Sequence, residues 1–103
     1  MSLLLMSNPR KARDRYDDLI NAYRDLPPKG GPTNEREQQA VTELHRALKR
    51  VPSRGAVSAE VVLLLKEAID GLKRTCPKDQ YAAGTSTSFL LEAAELAAKG
   101  ELG

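Results

Sequence analysis

One apolar segment, Ser58–Cys76 (SAEVVLLLKEAIDGLKRTC), constrains the fold of this chain more than any other stretch. Its apolar residues recur at helical spacing and cover nearly half of the circumference of a helix. The residues of this stripe are Val61, Val62, Leu64, Leu65, Ala68, Ile69, Leu72 and Cys76. A helix with so wide an apolar surface needs neighbours on more than one side. The segment is therefore predicted to be the buried centre of a helical domain.

The two ends of this segment carry local helix signals. Ser58 is a good N-cap, and Glu60 lies in the first turn, where the helix dipole favours a negative charge. Pro77 opposes continuation of the helix. Gly71 costs about 1 kcal/mol relative to Ala in a helix interior, so we expect it either to end the helix early or to let another backbone come close. The alternative, a short buried strand at 61–65, has no second strand to pair with.

Two helices are predicted before this segment. The first spans 8 to about 26, because an Asn-Pro start is followed by a regular apolar stripe. The second begins at Thr33 or Asn34, where Glu37 completes an Asn version of the capping box. Its apolar residues form a narrow seam, which is typical of contact with one partner helix, either in the same chain or in a second copy. This interface seam consists of Val41, Leu44, Leu48 and Val51.

A last helix is predicted after a less regular region. Asp79 is a candidate cap for a short turn, which Gly84 ends. Each of the four hydroxyl residues at 85–88 is a candidate N-cap for a last helix from about 89 to 99. Gly100 suits the position after its C-cap. The predicted buried residues are Phe89, Leu90, Ala93, Leu96 and Ala97.

Four helices joined by short loops predict an all-α fold, a four-helix-bundle-like arrangement of antiparallel helices around a central apolar helix at about 58–76. At 103 residues the chain has room for one core. We expect a single helical domain at 8–103, after a flexible tail or vector-derived remnant at 1–7. The apolar run at 3–6 is too short for a secretory signal.

Residues suited to catalysis or metal binding are scarce. His45 is the only histidine and Cys76 the only cysteine. A catalytic triad would have to use His45, which lies beside the seam and is expected to be a packed side chain. Cys76 lies at a helix C-terminus, where the dipole disfavours a thiolate. We therefore expect no enzymatic activity, no metal site and no cofactor.

The charge distribution indicates where a partner could bind. The net charge is +2, but residues 1–54 carry +4 and residues 55–103 carry −2. Four cations occupy the first two turns of the first helix, where the helix dipole disfavours positive charge. Three more lie at the C-terminal end of the second helix, where the dipole favours positive charge. The candidate partner-binding residues are Arg10, Lys11, Arg13, Arg15, Arg46, Lys49 and Arg50. Charge reversal of Arg10, Lys11 and Arg13 is expected to leave stability unchanged or slightly higher.

These observations predict a non-enzymatic helical protein–protein interaction module: a small regulator, an adaptor or a domain of a larger protein. A homo-oligomer formed through the seam would be one such arrangement. The alternative is a basic nucleic-acid-associated regulator that uses 10–15 and 46–54, although 58–76 is too apolar for a DNA-reading helix. No run approaches the ~18 apolar residues of a membrane span. A single cysteine is compatible with a reducing compartment, so a cytoplasmic location is expected.

Overall fold

The computed structural model describes residues 9–25, 31–100 and 102. These ranges contain four α-helices, α1 (Pro9–Asp25), α2 (Glu35–Leu48), α3 (Ala59–Thr75) and α4 (Ser86–Ala98), and a 3-10 turn at Lys78–Gln80. None of the described residues forms a strand, so the strand interpretation of 61–65 was wrong. Helix α1 packs on α4, α2 packs on α3, and α3 packs on α4. The predicted all-α bundle-like fold is confirmed.

The helix starts follow the predicted caps, because capping depends on residues a few positions apart. The Asn34 side chain accepts a hydrogen bond from the Glu37 backbone N–H at 2.9 Å, and Ser58 Oγ accepts one from the Val61 N–H at 3.3 Å. In the run 85–88 it is Thr85, the first of the four hydroxyls, that caps α4. Helix α4 therefore begins three residues earlier than predicted. The predicted start of α1 at Asn8 lies outside the described residues.

Helix α4 is the most covered of the four. It contacts each of the other three helices, and Ala93, Ala94 and Ala97 have no exposed surface. Because these side chains are small, neighbouring helices can approach α4 closely on several sides. Phe89 and Leu96, which were predicted to be buried, are only partly covered.

Helix α3 packs on two sides, against α2 and α4, as its wide apolar stripe predicted. Leu65 and Leu72 are fully buried there. Leu64, also a member of the predicted stripe, is 41% exposed, and its neighbour Leu63 is 63% exposed. Two neighbouring helices cover only part of the apolar circumference, so one face of α3 stays open to solvent.

Gly71 behaves in neither of the predicted ways. Helix α3 continues through it to Thr75, and an added Cβ at this position would meet no atom within 4 Å. Its missing side chain therefore leaves open space on the surface of α3.

The seam of α2 lies inside the domain. Val41, Leu44 and Leu48 are at most 4% exposed, and Val51 packs against the same core cluster, which includes residues of all four helices. The partner helices of the seam belong to the same chain. Of the two arrangements that the sequence left open for the seam, the structure has the one within the chain, where these side chains are not accessible to another molecule.

Candidate interaction surface

Arg13 ties the start of α1 to the loop between α2 and α3. Its guanidinium donates one hydrogen bond to the Pro52 carbonyl oxygen at 3.0 Å and another to the Gly55 carbonyl oxygen at 2.9 Å. The same group lies 5.6 Å from the centroid of the Tyr16 ring, within range of a cation–π contact. Gly55 has a φ of 84°, a conformation that side-chain-bearing residues rarely adopt. Arg13 is therefore a structural residue, and not a free member of a binding patch.

Arg15 also has a partner within the fold. Its Nε donates to Glu92 Oε2 on α4 at 3.0 Å, and the two groups form an ion pair. Both side chains are about half exposed, so the pair contributes little to stability. Helix α1 thus uses two of its four N-terminal cations to dock onto neighbouring elements.

The docking of Arg13 brings the start of α1 next to the loop that follows α2. Arg10 and Lys11 are exposed on the turn preceding Arg13. On the other side of the contact lie the C-terminal end of α2 and the loop after it. We call this surface the basic end, defined by Arg10, Lys11, Arg46, Lys49, Arg50 and Arg54, all of which are exposed.

Three members of the basic end have side chains that are available for a partner. Arg46, Lys49 and Arg50 make no ion pair or side-chain hydrogen bond to any residue that the structure describes. Five of the seven predicted partner-binding residues thus separate into two groups. Arg13 and Arg15 maintain the fold, whereas these three present positive charge to solvent.

We expect Arg13→Ala to lower the free energy of unfolding by about 1–2 kcal/mol, because two charge-assisted hydrogen bonds are lost. This reverses the expectation, based on the sequence, that altering Arg13 leaves stability unchanged. Urea denaturation followed by circular dichroism measures the effect. Arg24→Ala is the matched control, since the partners of Arg24 among the described residues, Asn21 and Asp25, lie on its own helix. Equal stability of the two variants would contradict a structural role for Arg13.

His45 and Cys76 do not form a catalytic pair. The His45 ring packs edge-on against Tyr23 with 5.5 Å between centroids, and burial, with a smaller effect of Lys49, lowers its pKa. Cys76 is buried, and its Sγ lies 3.9 Å from the Glu37 carbonyl oxygen. Burial raises the pKa of the Cys76 thiol. Both residues are packed side chains, as their positions in the sequence predicted.

A buried polar cluster joins α2 to the 3-10 turn. Glu37 is only 8% exposed, and its Oε1 accepts hydrogen bonds from the Thr33 N–H at 2.9 Å, the Thr33 hydroxyl at 2.8 Å and Gln80 Nε2 at 2.7 Å. In a capping box the Glu37 carboxylate would accept a hydrogen bond from the backbone N–H of Asn34. Here it accepts from the N–H of Thr33, the preceding residue. Pairing with Gln80 could not be predicted, because 43 residues separate it from Glu37.

Other classes of site find no support in the described part of the chain. No group of three or more His, Cys, Asp or Glu side chains there is arranged to hold a metal ion. None of the described helices combines the length and apolar character needed to cross a membrane. Comparison with protein families, curated proteins and solved structures finds no match to this chain. The basic end is therefore the candidate site that its own geometry supports best.

Proposed function

We propose that this protein is a non-enzymatic helical interaction module that binds an acidic surface of a protein partner through its basic end. The observation that carries the proposal is the contact of Arg13 with the Pro52 and Gly55 carbonyls. That contact joins the start of α1, where Arg10 and Lys11 are exposed, to the loop that follows the basic C-terminal end of α2.

The electrostatics of this surface suit an anionic partner. The first turn of α1 contains no acidic residue, so the partial positive charge of the helix N-terminus adds to the side-chain cations. Complementary charge on a partner would raise the association rate and orient the two molecules before contact. Because exposed ion pairs are screened by salt, binding should weaken as ionic strength rises.

One feature favours an acidic protein over a nucleic acid as the partner. The described aromatic side chains are buried or partly buried, so this surface lacks the stacking platforms that single-stranded nucleic acids use. A basic nucleic-acid-associated regulator is the alternative that the experiment must separate.

The test compares proteins captured from a native lysate by the wild-type chain and by the triple variant Arg46→Glu, Lys49→Glu, Arg50→Glu. We expect the variant to lose at least about 90% of a partner retained by the wild type, since three contacts change from attractive to repulsive. The control is Lys66→Glu, Lys78→Glu, Lys99→Glu, which makes the same change in net charge at other exposed positions. Quantitative mass spectrometry measures the retained proteins.

The controls separate three outcomes. Capture that depends on the basic end and survives nuclease treatment supports the proposal. Capture abolished by nuclease, with a steep dependence of affinity on salt, would assign the surface to nucleic acid instead. Identical captured sets for the wild type, the basic-end variant and the control would contradict a role of this surface in binding.

A further inference from the structure

The open face of α3 carries a regular stripe that is distinct from the basic end. Its residues follow the spacing of four, three, four and three that helices use when they pack side by side. They are Glu60, Leu64, Glu67, Gly71 and Arg74. Four of the five are exposed and Gly71 is partly exposed. Helices α2 and α4 do not cover this stripe, so it has the pattern of a contact helix without a partner.

A groove between α2 and α3 runs beside the stripe. It contains two adjoining recesses, of about 340 and 280 Å³. The larger lies over Gly71, and the smaller lies beside Leu64. Small side chains, Ala40 and Ala47 from α2 and Ala68 from α3, help to line them. The stripe therefore presents one projecting apolar side chain, Leu64, and, two helical turns away, a gap with no side chain at Gly71.

We propose that this face binds a second copy of the same chain, with the two α3 helices antiparallel around a two-fold axis. In such a dimer every contact occurs twice. If residue i of the first copy contacts residue j of the second, then residue j of the first copy contacts residue i of the second. Leu64 of each copy then enters the gap at Gly71 of its partner. Leu64 and Gly71 lie about 10 Å apart along the helix axis, so one axis midway between them aligns both insertions.

The charges on the stripe fit the same axis. Glu60 and Arg74 lie at opposite ends of α3, and neither has an ion-pair partner among the described residues. The midpoint between Glu60 and Arg74 coincides within about 1 Å along the helix with the midpoint between Leu64 and Gly71. The arrangement that seats Leu64 against Gly71 thus also brings Glu60 of each copy to Arg74 of the other. The shared midpoint follows from the regular spacing of the stripe; what is specific to this chain is that one pair joins a large side chain to a glycine and the other joins opposite charges.

Glu67 lies near that axis, where the two copies of the carboxylate approach each other. On α2, Arg36 lines one recess, Arg46 lines the other and Glu43 lines both, so two guanidinium groups share the groove with the carboxylates of Glu43 and Glu67. Because each copy contributes one large apolar side chain, the interface is small and the expected association is weak. This self-association is centred on α3, and it shares Arg46 with the basic end.

Sedimentation velocity at protein concentrations from about 20 μM to 1 mM tests the proposal. This range is chosen because a weak dimer of this kind has a Kd in the micromolar to millimolar range. We expect Leu64→Glu to abolish the dimer, and Gly71→Gln to abolish it while raising the denaturation midpoint, because Gln is a better helix former than Gly. Leu63→Glu is the matched control: it is the neighbouring residue and more exposed, but it lies off the stripe. It should associate as the wild type does.

A charge exchange tests the symmetry directly. Glu60→Arg and Arg74→Glu should each weaken association at least about tenfold by placing like charges opposite each other. The double variant should recover most of the lost affinity. Each of the two symmetric contacts between positions 60 and 74 then again joins opposite charges, with their signs exchanged. Circular dichroism on each variant verifies folding. A wild-type chain that stays monomeric at 1 mM, or association that Leu63→Glu and Leu64→Glu reduce equally, would overturn the proposal.

Discussion

Leu44→Glu is expected to unfold the protein. Leu44 has no exposed surface and lies in the core cluster formed by all four helices. Replacing a buried Leu with Ala typically costs about 2–5 kcal/mol, and a carboxylate at the same place also loses its hydration without gaining a partner. Because small domains have only about 5–15 kcal/mol of stability, this single change removes most or all of it. Circular dichroism should show loss of helix and of a cooperative unfolding transition.

The same substitution at Leu63 is the control, since Leu63 is 63% exposed. We expect Leu63→Glu to change the free energy of unfolding by no more than about 0.5 kcal/mol, as is usual for surface substitutions. The comparison also tests the location of the seam. A folded monomeric Leu44→Glu variant of a dimeric parent would place the seam at an interface between chains and contradict its burial in the core.

Glu37→Ala should produce the second largest loss of stability. The substitution removes the acceptor for three hydrogen bonds, two from Thr33 and one from Gln80. The Gln80 side chain is buried and its Oε1 already has no partner within the described residues. A buried donor left unpaired costs about 1–3 kcal/mol, which applies here to the Gln80 amide. We expect a clear decrease in the urea midpoint, with Glu35→Ala on the exposed first turn of α2 as the control.

The pH dependence of stability provides a separate measure of the Glu37 carboxylate. Hydrogen bonds from the Thr33 N–H and from Gln80 lower the pKa of Glu37 below its ordinary value. The folded protein therefore holds the charged form more strongly than the unfolded chain does. The resulting stabilisation is fully present above the ordinary glutamate pKa of about 4.3 and is lost as pH falls through the lower pKa of the folded state.

Glu37→Gln should remove this contribution while keeping the size of the side chain. We expect the wild type to be more stable than Glu37→Gln at neutral pH, and the difference to shrink as the solution is acidified below about pH 4. Urea denaturation at a series of pH values measures it. A difference that stays constant, or that grows on acidification, would show that the charge of Glu37 does not contribute to stability.

The local structure of this chain could be predicted from its sequence with little error. Asn34, Ser58 and Gly100 lie at the ends of helices where their side chains or backbone preferences place them, because capping depends on atoms within one turn. The packed state of His45 and Cys76 was also predictable, since each lies beside apolar residues of its own helix. These are the parts of the fold that short-range interactions decide.

The candidate site was predicted less well. The cations were correctly located in the sequence, but their division into structural and exposed groups depends on contacts between distant segments. Arg13 bonds a loop about 40 residues away, and Arg15 pairs with Glu92, 77 residues away. No periodicity or spacing encodes such pairs, so Arg13 was grouped with side chains that it does not resemble in function.

The sequence by itself determined the four helices and the N-caps of α2 and α3, and it placed the cap of α4 within a run of four hydroxyls. Only the tertiary structure decided which apolar surfaces meet: the seam around Leu44 closes within the chain, while Leu64 on α3 stays exposed. The physical reason is that an apolar stripe specifies the need for a neighbour but not its identity. Which neighbour covers an apolar stripe depends on how all four helices share one core. In this chain α4 packs against each of the other three helices, because its alanine side chains are small enough to let them approach closely.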